Sequence, residues 1–111
     1  FKGVQVAVVS EDRDTGARAM FVRLPPNKGA AAQAEDYHYH TVAAHTLVLE
    51  GTVNSAVNGR RITGKAGDYF RAPANWVHAD SGSEVGATMF MITEGSRRGV
   101  AAKFGTVVVE D

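Results

Sequence analysis

Tyr37-His38-Tyr39-His40-Thr41-Val42-Ala43-Ala44-His45-Thr46-Leu47-Val48-Leu49-Glu50-Gly51 is the stretch whose reading decides the fold. It carries three of the 4 histidines in the chain and runs straight into an apolar segment. On a strand, side chains at i and i+2 leave the same face, so His38 and His40 aim both imidazoles at one point and form a chelating pair. Tyr37 and Tyr39 alternate with them and face the other way, where packing is their expected role.

Downstream, residues 46–49 read as a strand, Glu50-Gly51 as a bend and residues 52–57 as the partner strand. Asn58-Gly59 is the strongest hairpin signal, since both residues accept the positive φ of a two-residue type I′ turn. Residues 60–63 return from it, and 64–68 turn again. Tyr69-Phe70-Arg71-Ala72 is then a short strand bracketed by Gly67-Asp68 and Pro73-Ala74-Asn75, with His78 opening the next one. Residues 80–83 are expected to break the chain. The run 87–93 is continuously apolar, which predicts burial on both faces. Residues 94–99 read as a polar turn and 104–109 as a last strand.

Upstream, residues 4–9 and 17–24 form a hairpin about Asp12-Arg13-Asp14-Thr15-Gly16, with Met20, Val22 and Leu24 on one face of its second strand. Pro25 to Gly29 ends that strand. Residues 30–36 are a small-residue connector, either loop or a brief helical turn. Short strands between Gly-rich turns, with almost no helical periodicity, predict an all-β antiparallel sandwich or barrel.

The totals narrow the function classes. With 111 residues there is room for a single domain, 1–111, with one modest core. Lys plus Arg equals Asp plus Glu at 12 each, without long runs of either sign, so nucleic acid and anionic membrane are not expected partners. The pair Arg97-Arg98 reads as a solvated turn. The chain has 0 cysteines, so any metal is held by nitrogen and oxygen. No apolar run approaches the roughly 20 residues of a membrane span, and no signal peptide is visible. The chain starts at Phe1 instead of Met, which fits a trimmed start; a soluble, cytoplasmic setting is the default expectation.

The two histidine segments resemble the paired motifs of the cupin superfamily. The first family motif is Gly, five residues, His-x-His, three or four residues, Glu, six residues, Gly; it falls on about 37–51, where His38, His40 and Gly51 match. The second is Gly, five residues, Pro-x-Gly, two residues, His, three residues, Asn; it falls on about 67–82, where Gly67, Pro73 and His78 match. Asn75 stands in the second glycine place, a mild change where a left-handed turn is required. Fifteen residues separate Gly51 from Gly67, a usual spacing for small cupins. Ala32 replaces the opening glycine, Gly82 the final asparagine, and Ala44 the glutamate that usually supplies a fourth ligand. The run from Tyr37 to Gly51 is especially similar to cupin domains of the anti-sigma-factor type.

The resemblance implies a small, single-domain, antiparallel jelly-roll barrel (the double-stranded β-helix) and a divalent transition metal, Fe, Zn, Ni or Mn, on His38, His40 and His78. His45 is the remaining candidate ligand. A regular ladder turns it away from His38 and His40; a β-bulge between Val42 and Ala44 would bring it back. Phe70, Trp76, Met89 and Met91 are candidates to line the pocket or to fill the barrel. Arg71 reaches either a carboxylate or solvent, and Glu50 reads as a rim residue.

Neutral imidazoles leave the full charge on a divalent cation and favour an anionic or enolate oxygen ligand. With the resemblance, which implies oxygenase chemistry at all-histidine sites, the expected function is a metal-dependent enzyme on a small oxygen-chelating substrate, dioxygenase-like with iron, with isomerase or lyase chemistry behind it. The other class is a non-catalytic module that senses or binds a metal or small molecule. A homodimer is expected from the resemblance, with the strand 4–9 as the exposed edge.

Overall fold

The computed structural model describes residues 3–26, 37–57, 60–95 and 99–101. Its first unit is the expected hairpin. Strand β1 (Gln5–Glu11) pairs antiparallel with β2 (Arg18–Leu24). Asp12 closes the turn between them: its Oδ1 accepts the Asp14 N–H at 2.8 Å, its carbonyl accepts the Gly16 N–H at 2.7 Å, and Gly16 takes φ 79°. Alternation then sorts β2, with Met20, Val22 and Leu24 buried and Phe21 exposed on the opposite face.

The remaining strands are β3 (His38–His40), β4 (Ala44–Val57), β5 (Arg60–Lys65), β6 (Tyr69–Ala72), β7 (His78–Thr93) and β8 (Gly99–Ala101). All pairings are antiparallel. Strands β4 and β7 are long and belong to two layers at once. The first half of β4 lies between β6 and the second half of β7, which β2 and β1 extend. The second half of β4 lies between β5 and the first half of β7, which β3 and β8 extend. Two five-stranded layers that share two bent strands make the curled, jelly-roll half-barrel.

The bends correct two expectations. Glu50-Gly51 is not a turn between strands, because β4 runs through it with register shifts at Val48/Glu50 and Gly51/Val53. Residues 80–83 do not break the chain either, because they lie inside a continuous β7, where 80–82 pair with β4. The bend is made by two glycines packed on each other: Gly51 (φ 75°) and Gly86 (φ 74°), with a Cβ on Gly51 falling 2.1 Å from the Gly86 carbonyl oxygen. Only residues without a side chain fit there. In β5 the strand also runs longer than expected, through Gly64 and Lys65.

The core sits on the concave side. Met20, Val22 and Leu24 of β2, Ala44, Val48 and Val53 of β4, and Ala87, Met89 and Met91 of β7 form one buried cluster, each larger side chain stabilising the fold by about 1.5–3 kcal/mol. The expectation that 87–93 is buried on both faces is not met: Phe90 is half-buried and Ile92 is 45% exposed. The convex face carries exposed apolar side chains there, Phe21, Leu47 and Tyr69 among them. Its register aligns one apolar row across five strands, Ala7, Phe21, Phe90, Leu47 and Tyr69, with Phe21 edge-on to Phe90 at 5.2 Å.

Asn58 and Gly59 lie outside the described residues, and the strands beside them pair Val57 with Arg60. The expected connector 30–36, the turn residues 96–98 and the strand 104–109 also lie outside them. Among the described residues no helix is long and apolar enough to cross a membrane.

Candidate metal centre

His38 and His78 reach each other because the backbone register makes them direct partners, the single described pairing between β3 and β7. His40 follows two residues later on the same face of β3. The three rings crowd together, with centroids 4.5 Å apart for His38 and His78, 4.8 Å for His38 and His40, and 5.4 Å for His40 and His78. Each offers a ring nitrogen, and these nitrogens lie within 4.8 Å of one another. One point therefore lies within about 2.8 Å of all three, against roughly 2.0–2.1 Å for a zinc–imidazole bond. Small ring rotations close that gap, so the donor set fits a divalent transition metal.

The supporting shell is local. His78 is buried, and its Nδ1–H donates to the Trp76 carbonyl at 2.8 Å. That bond fixes the tautomer and leaves Nε2 as the ligand atom. The approach to His78 needs a left-handed residue, and Asn75 supplies it at φ 65°, alone among the described non-glycine residues. The Asn75 N–H then donates to the His40 carbonyl at 2.7 Å, tying the turn before His78 to the strand that carries the other two histidines. Beside the site, Tyr37, Val77 and Ala79 form a second buried cluster with Tyr39 and Ala56 against it; Tyr37, expected to face away from the histidines, also lines the cavity.

His45 is not brought to this group. Along the start of β4, Ala44, Thr46 and Val48 are buried, so His45, between them, projects from the convex face. A bulge between Val42 and Ala44 has no ladder to sit in, because β4 begins at Ala44, and from 44 to 48 it stays in regular register with β7. Both of its ring nitrogens are engaged: Nδ1 with the Tyr69 hydroxyl at 2.6 Å and Nε2 with Glu94 Oε2 at 2.7 Å. Arg71 joins from β6, its Nε 3.6 Å from the same Glu94 oxygen. The hydrogen bond with His45, aided by the Arg71 charge and opposed by desolvation, holds the Glu94 carboxyl below its ordinary range.

The three inward histidines stand in a cavity of about 720 Å³, to which Phe70, Trp76, Met89 and Met91 all contribute. Met89 and Met91 also belong to the core, Phe70 packs against it, and the Trp76 ring lies 6.4 Å from His78. The sequence reading missed Thr46 and Ser55, whose positions also line the cavity. Thr46 could have been found by parity, because it alternates with Ala44 and Val48 along β4.

The family model described as the ChrR cupin-like domain matches residues 1–97. Among solved structures, a cupin superfamily protein from Desulfitobacterium hafniense DCB-2 is similar at 15% identity and TM-score 0.66, covering 84% of this chain and 78% of that one. A salicylate 1,2-dioxygenase variant from Pseudoaminobacter salicylatoxidans is similar at 16% identity and TM-score 0.68, covering 89% of this chain but 30% of that one. A protein of unknown function from Rhizobium leguminosarum bv. viciae 3841 is similar at 17% identity and TM-score 0.64, with 83% and 81% covered. At such identities the likeness carries the fold alone. A search of curated protein sequences finds no match.

Proposed function

This chain belongs to the ChrR cupin-like family, and from that premise we propose that it is a metal-dependent enzyme acting on a small oxygen-chelating substrate, dioxygenase-like when loaded with iron. The observation that carries the proposal is the group of His38, His40 and His78 at the wall of an apolar cavity. A bound divalent metal would supply Lewis-acid activation of the chelated oxygen and, as iron, a place for dioxygen.

The chain's own residues do the rest. Three neutral imidazoles add no negative charge to the centre, which favours an anionic oxygen on the substrate. His78 is held in one orientation by the Trp76 carbonyl, and the apolar wall of Met89, Met91 and Phe70 keeps the substrate's surroundings poor in water. Among the described carboxylates none joins the three-imidazole group; Asp68, at the cavity, already accepts the Lys65 N–H at 2.9 Å. The fold shared with a salicylate 1,2-dioxygenase makes dioxygenase chemistry the first to assay.

The test is metal analysis of protein purified without chelator, followed by oxygen uptake with small oxygen-chelating compounds after ferrous loading. Stoichiometric metal with substrate-dependent uptake supports the enzyme. Stoichiometric metal with no turnover of any such compound favours the second reading, a sensing module like the cupin domains of anti-sigma factors, which the ChrR-type family match supports. The proposed macromolecular partner is a second copy of the chain. All seven residues of β1 are exposed, and the apolar row on the convex face offers a self-complementary surface beside that edge.

A further inference from the structure

We infer that the ligand of the concave face is an amphiphile, with one oxygen-chelating head at the three imidazoles and an uncharged apolar body along the opposite wall. This rests on the metal-centre reading above and adds the class of molecule it serves. The second observation is the wall itself. Met20, Val22, Leu24, Met89, Met91 and Phe70 line the cavity from the layer of β2, β6 and the second half of β7, while the histidines stand on the other layer, and three of the six are thioethers, which adapt to apolar bodies of different shape.

The rim has the same character. Val6 is opposite the inward-facing Val22, and Ile62 is opposite Ser55, so both project to the concave side. They are nonetheless 54% and 47% exposed. Apolar side chains that face a cavity and remain wet are available to a ligand's apolar surface. A volume near 720 Å³ suits a body much larger than a bare chelating head.

Charge is what the wall lacks. Among the described lining residues the one guanidinium is Arg71, already committed to Glu94 at 3.6 Å, and the one carboxylate is Asp68, which accepts the Lys65 N–H. A second charge on the ligand would be buried without a counter-charge, which is strongly unfavourable. The site therefore selects against ligands that carry a further charge remote from the chelating head and in favour of lipophilic chelators.

The experiment uses zinc-loaded protein, with metal content measured first, and a series of straight-chain alkyl hydroxamates from acetohydroxamate upward, titrated by calorimetry. The expected result is a Kd that falls about fourfold for each added methylene. An ω-carboxylated hydroxamate of equal length is expected to bind at least about tenfold more weakly than the uncharged one. Ile62→Lys, at an exposed rim position that does not threaten folding, is expected to narrow that gap. A Kd that ignores tail length, or equal binding of the carboxylated probe, overturns the inference while leaving the metal centre standing. Failure to retain zinc, or zinc without acetohydroxamate binding, would instead overturn the metal-centre reading and this inference with it.

Discussion

The two faces of the barrel wall treat histidine differently. On the concave face, His38, His40 and His78 turn their rings toward one another, 4.5 to 5.4 Å apart, inside an apolar cavity. On the convex face His45 spends both ring nitrogens on Tyr69 and Glu94. The residue type is the same; the strand's alternation decides which face receives it. A histidine in a metal motif is thus a ligand candidate only after its parity is known, and His45 shows how one position converts a ligand into a strand-to-strand tie.

The largest expected effect breaks the concave set. His38→Ala with His40→Ala should weaken zinc affinity by more than about a hundredfold, read by competition with a chromophoric chelator, while His45→Ala leaves it within about threefold. Comparable losses in both variants would erase the distinction between the faces.

Next comes the bend that lets β4 and β7 serve both layers. Gly51→Ala places a Cβ against the Gly86 carbonyl at a positive φ and should cost about 2–4 kcal/mol of stability in urea unfolding. A change within error would mean that the two long strands are not pinned there. A smaller effect concerns the convex apolar row: Phe21→Lys, at a position 44% exposed, should leave the monomer folded and raise the dimer dissociation constant by about tenfold or more. Sedimentation that shows a monomer for the unsubstituted protein at all concentrations would remove the proposed dimer.

The smallest effect sharpens the convex tie. Because the Glu94 carboxyl titrates below its ordinary value of 4.5, its contribution to stability is present above that pH and fades as the pH falls through the lowered value. Glu94→Gln should therefore be less stable than the unsubstituted protein at neutral pH, with the difference shrinking in thermal melts below pH 4.5. A difference that is the same in acid and at neutrality would separate Glu94 from His45.

Much of this was legible in the residues, and the failures share a cause. Alternation placed Met20, Val22 and Leu24 on one face and paired His38 with His40, because both facts are local. The expectation that Asn75 takes a left-handed turn is met at φ 65°. His78 could be joined to the other two only through the motif resemblance, since its cross-strand pairing with His38 is a tertiary fact. The bends were misread because a glycine with positive φ marks a hairpin turn and a kink in a continuous strand equally well. Residues 80–83 looked like a break because nothing in their composition reveals that β4 pairs with 80–82. The apolar run 87–93 suggested two buried faces, yet Ile92 on the convex side of β7 is exposed.

The most direct measurement is an anomalous difference map from a crystal of zinc-loaded protein, with data collected at the zinc edge. The account predicts one peak bonded to ring nitrogens of His38, His40 and His78, with Nε2 as the His78 donor. No peak among these three rings, or a peak on His45 and Glu94 instead, would contradict it.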